Sequence, residues 1–217
     1  MLAELRRGAR LAPRILSQGA VVRAAFVPTQ AGPLDGDEDR VRIVVGAGAT
    51  VVVEPVAATL ALPGDEGIVL TLDITVHAGG RLVLVEAPLI VAAGACVTRR
   101  CVVDLEGDAV AALRETIVLG RDGEPPGTLD STLRATYDGR VLLHDAARLG
   151  PTCAAHVALP PGHRILATAC LLGRRADDPA GDLAGPGSLT RASGPSLAAV
   201  EAATAASWGA WSAKALD

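Results

Sequence analysis

Apolar and polar residues alternate along most of the chain, in short runs that glycine turns interrupt. In each unit an apolar run reaches a turn and a second apolar run leaves it. The units span residues 41–54, 68–85, 97–118 and 129–149, with a weaker fifth copy around Pro160-Pro161-Gly162. Alternation with a period of two and many β-branched residues predicts strands, so each unit is typical of a β-hairpin. Asp138-Gly139 is the strongest hairpin signal.

These units predict a mainly β fold: a single domain of packed antiparallel or mixed sheets, β-helix-like or sandwich-like, with a C-terminal α-helix. The length of 217 residues suits one domain. We expect a β-sheet platform over residues 1–172, with an irregular start over 1–20 and a first strand over 21–28. A surface loop rich in Gly, Pro and Ser follows over 173–195, and a helix over 196–217.

The predicted helix is dense in alanine, which favours helix, and Ser193 or Ser196 can cap its start. Its apolar residues recur every three or four positions and form one stripe: Leu197, Val200, Thr204, Trp208, Trp211 and Ala215. This stripe packs either on the chain's own sheet or against a partner protein. In the second case Trp208 and Trp211 are the expected partner-binding anchors, because tryptophan is enriched at interfaces.

Composition excludes several classes of function. The mean hydropathy is +0.37, yet no uncharged apolar run reaches the roughly 18 residues of a membrane span. The apolar surplus fills buried strands or forms a surface that meets a partner. Aromatic residues make up 2% of the chain and the net charge is −4, so nucleic-acid binding has little support. The charged start lacks the apolar core of a signal peptide, and we expect a cytoplasmic protein with reduced cysteines.

Carboxylates and other possible metal ligands are scattered. A polar loop over residues 29–40 carries Asp35, Asp37, Glu38 and Asp39, which suit either a hard cation or a turn whose Asp side chains accept backbone hydrogen bonds. The pairs His144 with Asp145 and Cys153 with His156 are candidates for a softer cation. A strand with Glu115 leads to a turn with Arg121, Asp122 and Glu124, which is a solvated turn or a charged rim that binds a cation or a partner.

The chain has no nucleophile elbow, Walker loop, dinucleotide fingerprint or HExxH motif. We therefore expect a protein that is not an enzyme. The alternative is a small all-β enzyme or ligand-binding module, cupin-like or sandwich-like, with a carboxylate site in which Glu115 meets a histidine.

An ordered series of short motifs resembles the UreD (also called UreH) family of urease accessory proteins. The motifs are Leu11-Ala12-Pro13-Arg14, Pro33-Leu34-Asp35-Gly36-Asp37, Val45-Gly46-Ala47-Gly48-Ala49, Val56-Ala57-Ala58-Thr59, Glu86-Ala87-Pro88, Gly94-Ala95, Leu119-Gly120-Arg121 and Asp138-Gly139-Arg140. They follow the order of the family from about residue 11 to residue 149. Each motif is short, and the specificity comes from their order and spacing together.

The resemblance implies a cytoplasmic chaperone for nickel insertion, that is, for assembly of the urease metallocentre. Such a protein joins apo-urease to UreF-type and UreG-type accessory proteins and passes nickel to the urease active site. Nickel is then expected in transit and no cofactor is bound tightly, because sparse carboxylates release an ion more readily than a closed cage of Cys and His does. Neither nucleic acid nor a membrane is an expected partner.

Carried over residue by residue, the resemblance implies a transient nickel path of four carboxylates: Asp37, Glu86, Glu115 and Glu124. Three further residues are expected to line or support this path: Thr59, Arg121 and Asp145.

Overall fold

The computed structural model describes residues 4–6 (backbone only), 10–151, 159–160, 162–177 and 181–217. Cys153, His156 and much of the weak fifth unit lie outside these ranges. The elements are β1 (Glu4–Arg6), β2 (Leu11–Ser17), β3 (Val21–Pro28), β4 (Glu38–Val45), β5 (Thr50–Glu54), β6 (Thr59–Ala61), β7 (Ile68–Val76), β8 (Arg81–Val85), β9 (Leu89–Val91), β10 (Cys96–Leu105), β11 (Val110–Leu119), β12 (Thr128–Tyr137), β13 (Arg140–Leu149), β14 (Ile165–Leu172), β15 (Gly187–Gly194) and α1 (Leu197–Leu216).

The strands form two packed sheets. Sheet I has the order β1-β4-β7-β10-β12-β13, and sheet II has the order β15-β14-β11-β8-β5-β3-β2, with β6 and β9 paired beside β11. The fold is therefore mainly β with one C-terminal helix in the described part, as predicted. Within the described ranges, no helix combines the length and apolar character that a membrane crossing requires.

Most of the repeated units are coils of a β-solenoid-like stack, so the prediction that each is a hairpin is wrong. The two strands of a unit, such as β7 and β8, lie in different sheets, and each pairs in parallel with its counterpart in the next unit. Val41, Leu72, Cys101 and Leu133 thus occupy equivalent positions, about 30 residues apart. The β12–β13 pair is antiparallel and turns at Asp138-Gly139, where both residues have positive φ, so this hairpin is confirmed.

Side chains at the glycine corners tie each coil to the next. The backbone N–H of Gly79 donates to Asp108 Oδ1 at 2.6 Å, and that of Gly107 donates to Asp138 Oδ1 at 2.7 Å. Because the aspartate of each corner satisfies a backbone donor of the preceding one, the corners stack in register.

Two irregular segments of the prediction contain strands. Residues 1–20 include β1 and β2, which pair with β4 and β3. The expected loop over residues 173–195 includes β15, which pairs with β14 along its whole length. All three strands lie at sheet edges, where backbone pairing with a neighbour outweighs weak strand propensity, such as that of the Gly, Ser and Pro residues in β2 and β15.

The helix α1 packs on the outer face of sheet II. Ser196 caps it by accepting a hydrogen bond from Ala199 N at 3.3 Å, which confirms one of the two predicted caps. Trp211 is only 4% exposed and packs with Val83 and Leu171, while Trp208 is half-buried at the same cluster. The stripe therefore covers the chain's own sheet. The prediction that Trp211 anchors a partner is corrected, because its indole already fills an internal apolar contact.

Between the sheets, apolar side chains form two clusters. The first interior cluster includes Ile74, Leu82, Val103, Leu105 and Leu172. The second interior cluster includes Ile68, Val97, Ile117, Leu129 and Leu166. The strands run from one cluster to the other, and the residues between the two clusters form the candidate site.

Candidate functional site

Four strands carry a polar residue at the inward position between the two interior clusters. These residues are Arg99 on β10, Glu115 on β11, Ser131 on β12 and Thr168 on β14. The strand register aligns Arg99 with Ser131 in sheet I, and Glu115 with Thr168 in sheet II. We call this level of the interior, together with its continuation toward both edges of the sheets, the polar layer.

Arg99 is the centre of the polar layer. Its side chain is only 8% exposed, and its guanidinium contacts Glu86 Oε1 at 2.5 Å and Glu115 Oε2 at 2.8 Å. Nη1, the nitrogen that contacts Glu115, also donates to Ser131 Oγ at 3.3 Å. Glu86 follows β8 and is held by its backbone N–H, which donates to Arg114 O at 2.9 Å. One guanidinium thus joins two carboxylates of sheet II to sheet I.

In this cluster the charge of Arg99 is fixed, whereas the charge of Glu115 can change. Burial raises the pKa of the Glu115 carboxyl, Arg99 opposes this shift, and the nearby Glu86 carboxylate raises the pKa further. Burial by itself would lower the pKa of Arg99, but Glu115 and Glu86 outweigh it and the net shift is upward. Arg99 is therefore a permanent cation, and Glu115 is the group whose charge responds to its surroundings.

Toward one edge, the polar layer continues to Arg191 and Asp145. Arg191 lies in register with Thr168, and its Nε donates to Thr168 Oγ1 at 3.1 Å. Its guanidinium forms an ion pair with Asp145 of β13. Because β15 and β13 are edge strands of different sheets, this pair connects the sheets at that side.

Toward the opposite edge, the polar layer continues to Arg10 and Asp39. Asp39 is aligned with Leu70, which is aligned with Arg99. Arg10 and Asp39 are each 4% exposed and form an ion pair. Asp37 lies closer to solvent, 3.4 Å from Arg10 Nε, and accepts a hydrogen bond from Leu34 N at 2.8 Å.

Two cavities accompany these groups. A cavity of about 150 Å³ is lined by apolar side chains and by eight polar or charged residues: Arg10, Asp39, Glu54, Thr59, Thr71, Glu86, Arg99 and Arg100. A smaller one of about 10 Å³ lies beside Glu86 and Glu115 and also touches Thr168, Cys101 and Cys170. The larger cavity has room for several waters and the smaller for about one. Burial raises the pKa of both thiols, which therefore stay protonated.

The charge of the polar layer favours a cation. Among the described residues, the carboxylates of the layer outnumber its guanidiniums: Asp37, Asp39, Glu86, Glu115 and Asp145 against Arg10, Arg99 and Arg191. A site with more acidic than basic groups in a partly buried space attracts a positive ion or a proton.

The structure brings together most, but not all, of the sequence-predicted residues. Glu86 and Glu115 meet on Arg99, and Asp37 lies beside Arg10 at one end of the layer. Thr59 lines the larger cavity, and Asp145 lies at the other end of the layer. Arg121 and Glu124 are elsewhere, in the turn after β11.

In that turn Arg121 Nε donates to Glu124 Oε1 at 2.6 Å. This hydrogen bond is the main cause that lowers the pKa of Glu124 to about 2. Glu124 also accepts a hydrogen bond from Ala93 N at 3.4 Å. The pair therefore stabilises a surface turn. Of the two alternatives for this segment, a solvated turn or a charged rim that binds a cation or a partner, the structure corresponds to the solvated turn.

The other candidate metal ligands do not converge. Asp35 accepts backbone hydrogen bonds from Asp65, Glu66 and Gly67 at 2.7 to 3.0 Å, so its carboxylate serves turn geometry. His144 and Asp145 are adjacent on a strand and face opposite sides of it. In the portion of the chain that the structure describes, no three residues among His, Cys, Asp and Glu could hold one metal ion.

The enzyme alternative needs a histidine beside Glu115. His77 contacts Glu106 at 2.7 Å and His163 contacts Ser193 at 2.9 Å. The charged groups that shift the pKa of Glu115 are Arg99, Glu86, Arg191 and Asp145. Among the described residues no histidine joins the Glu115 carboxylate, so the pairing that this alternative requires is not formed there.

Sequence reasoning missed Arg99, although a signal was present. Val97, Cys101, Val103 and Leu105 are the inward residues of β10, and Arg99 occupies the same phase of the alternation. A charged residue in the buried phase of a strand predicts a partner of opposite charge on the facing sheet. Arg10 and Arg191 lie in segments that were expected to be irregular, so no alternation of inward and outward positions could be assigned to them.

Comparison with known proteins places the chain in a family context. Residues 7–217 match the family described as UreD urease accessory protein. Urease accessory protein UreD 1 of Streptomyces griseus is 38% identical over 195 residues, covering 87% of this chain and 76% of the relative. UreD of Parafrankia sp. is 38% identical over 166 residues, covering 75% of this chain and 54% of the relative. UreD of Streptomyces coelicolor is 39% identical over 140 residues, which is 64% of this chain and 55% of the relative. The chain thus spans about half the length of the latter two relatives.

Proposed function

Because the chain belongs to the UreD urease accessory protein family, we propose that it acts in urease maturation as a scaffold for nickel insertion. In this role it joins apo-urease to UreF-type and UreG-type accessory proteins and passes nickel toward the urease active site. It works in the cytoplasm as a chaperone and has no bond-making centre of its own.

The polar layer is the observation that carries this proposal. An ion that crosses a protein needs oxygen ligands at intervals, and it must not be held so tightly that it stays. Here carboxylates exceed guanidiniums, hydroxyl groups of Ser131 and Thr168 lie between them, and a cavity of about 150 Å³ reaches Glu86 and Arg99. Such a series of weak oxygen sites suits transfer better than a closed cage.

The path we propose begins at Asp37, where the carboxylate is partly exposed, and follows the cavity past Thr59 to Glu86 and Glu115. Asp145 lies beyond them at the opposite edge. Glu124 was expected on this path, but its carboxylate is engaged by Arg121 in a surface turn. We therefore leave Glu124 out and use it as a control.

The test is nickel loading of urease in cells. A strain that lacks the chain should contain urease protein with little nickel, and the wild-type chain should restore the metal. Glu115→Gln should restore less than the wild type, while Glu124→Gln should restore about as much. Nickel per urease molecule, measured on purified urease, is the readout. Normal nickel loading in the deletion strain would remove the proposed function.

The proposed assembly is tested separately. UreF-type and UreG-type proteins from the same genome should co-purify with the chain when the three are expressed together. Failure of both to associate, with all three soluble, would reject the scaffold role.

A further inference from the structure

The central ion cluster has an unusual balance of charge. One guanidinium, that of Arg99, is shared by two carboxylates, Glu86 at 2.5 Å and Glu115 at 2.8 Å. The Arg99 side chain is 8% exposed and the Glu115 side chain 12%, so water screens little of the excess negative charge. When both carboxylates are ionised, a single positive charge leaves this cluster one charge short of neutrality, whereas a divalent cation would balance it.

We infer that Arg99 is a built-in substitute for a divalent cation. Its guanidinium occupies the position between Glu86 and Glu115 that the ion takes, and it withdraws when the ion arrives. The inference rests on the proposed function only for the identity of the ion as nickel. The geometry itself requires only a divalent cation that accepts oxygen ligands.

The surroundings allow this exchange. Ser131 and Thr168 supply hydroxyl oxygens at the same level, and the small cavity beside Glu86 and Glu115 admits about one water as a further ligand. The larger cavity, which Arg99 also lines, gives the displaced guanidinium room to move toward the carboxylate of Asp39.

The exchange has a consequence for affinity. Because Arg99 competes for the same two carboxylates, the wild-type chain binds the ion weakly and releases it when the guanidinium returns. Without Arg99, the two carboxylates face each other without a cation. The ion should then bind more tightly and stay, which would turn a transfer point into a trap.

The experiment measures Ni²⁺ binding by the purified full-length chain, with NiSO₄ alone as the probe. Arg99→Met should bind one additional Ni²⁺ at least about tenfold more tightly than the wild type in isothermal titration calorimetry, a difference of about 1.4 kcal/mol. The melting temperature of Arg99→Met should fall in the absence of metal and rise again with Ni²⁺. That of the wild type should change little.

Two controls isolate the carboxylate pair. Arg99→Met/Glu115→Gln leaves only one carboxylate at the centre and should lose the additional site. Arg191→Met removes a guanidinium of the same layer whose ion-pair partner is the single carboxylate of Asp145, and it should not gain a tight site. Equal Ni²⁺ binding by all four proteins would mean adventitious surface binding, and it would overturn the inference.

A second variant covers the case in which Arg99→Met does not fold. Arg99→Lys keeps a positive charge, but an ammonium cannot hold two carboxylates in the fork that a guanidinium provides. Its affinity for Ni²⁺ should lie between those of the wild type and Arg99→Met. An affinity equal to that of the wild type would also overturn the inference.

The outcomes separate this inference from the proposed function. If urease acquires nickel normally in cells without the chain, the function fails, but tighter Ni²⁺ binding by Arg99→Met would still establish the exchange site. If instead nickel loading depends on the chain and Arg99→Met gains no binding, the function stands and the exchange at Arg99 is rejected.

Discussion

The guanidinium of Arg99 lies 2.8 Å from the carboxylate of Glu115, and the two residues belong to opposite sheets. This contact crosses the interior at the level where both sheets replace apolar side chains by polar ones. It gives the protein a charged centre between two apolar clusters, and this centre has consequences for both stability and function.

Removing Arg99 should destabilise the fold strongly in the absence of metal. Arg99→Met leaves two buried carboxylates without a cation, and we expect a loss of about 3–5 kcal/mol in the free energy of unfolding. Arg99→Met/Glu86→Gln/Glu115→Gln removes the charges together and should lose less. Urea denaturation measures both. The exposed pair of Arg40 and Asp73 is the control, and Arg40→Met should cost at most about 1 kcal/mol. Equal losses for Arg99→Met and Arg40→Met would contradict the prediction.

The raised pKa of Glu115 predicts a particular dependence of stability on pH. Its folded-state pKa lies above the ordinary value of 4.5, so the folded state holds this proton more firmly than the unfolded state does. The resulting stability is fully present below pH 4.5 and is lost as the pH rises through the raised pKa. Glu115→Gln should remove this part of the pH dependence. Denaturant titrations across this range test it, and parallel curves for the two proteins would refute it.

The pair of Arg121 and Glu124 predicts the opposite dependence. The hydrogen bond from Arg121 lowers the pKa of Glu124 to about 2, so its stabilising effect is present above pH 4.5 and is lost as the pH falls through about 2. Arg121→Met should return the pKa of Glu124 toward its ordinary value. Carboxyl chemical shifts in an NMR titration follow this directly. An unchanged midpoint in the variant would mean that the hydrogen bond is not the cause.

The two tryptophans of α1 should differ in their contribution to stability. Trp211 is buried against sheet II, and Trp211→Ala should cost about 3–5 kcal/mol in the free energy of unfolding. Trp208 is half-buried, and Trp208→Ala should cost less. Chemical denaturation compares them. A stable Trp211→Ala protein that selectively loses a UreF-type partner would restore the role of Trp211 as a partner anchor.

The Asp35 carboxylate should behave as a structural acceptor and not as a calcium ligand. Asp35→Ala leaves the N–H groups of Asp65, Glu66 and Gly67 without their acceptor, so the melting temperature should fall. Asp122→Ala, in the exposed turn after β11, should change it little. Addition of Ca²⁺ should leave the melting temperature of the wild type unchanged, and a clear rise would show that the acidic loop binds a cation after all.

Local signals in the sequence predicted several elements correctly. The strand predicted over Val21–Pro28 is β3 with its observed bounds, Asp138-Gly139 predicted a true hairpin, and Ser196 caps the predicted helix. These features depend on residues that are close together in the chain, so the types of those residues are enough to predict them. The order of short motifs likewise indicated the family.

The candidate site was predictable in part. The family resemblance identified Glu86 and Glu115 as path residues. The sequence did not show that they lie close together, because they belong to different elements and are joined by Arg99, which contacts both carboxylates. Glu124 looked equivalent to them in the sequence. Its local partner Arg121, three residues away, holds it in a surface turn instead.

The order of residue types was enough to predict which residues share a face of a strand, where the chain turns, and that a helix follows the last strand. It was not enough to predict that consecutive strands enter different sheets and pair with strands about 30 residues away, which the three-dimensional structure shows. The reason is physical: alternation of side chains reports burial, whereas strand pairing is made by backbone N–H and C=O groups that are the same in nearly every residue. The charged centre at Arg99 exists only because that pairing aligns one arginine with carboxylates of the opposite sheet.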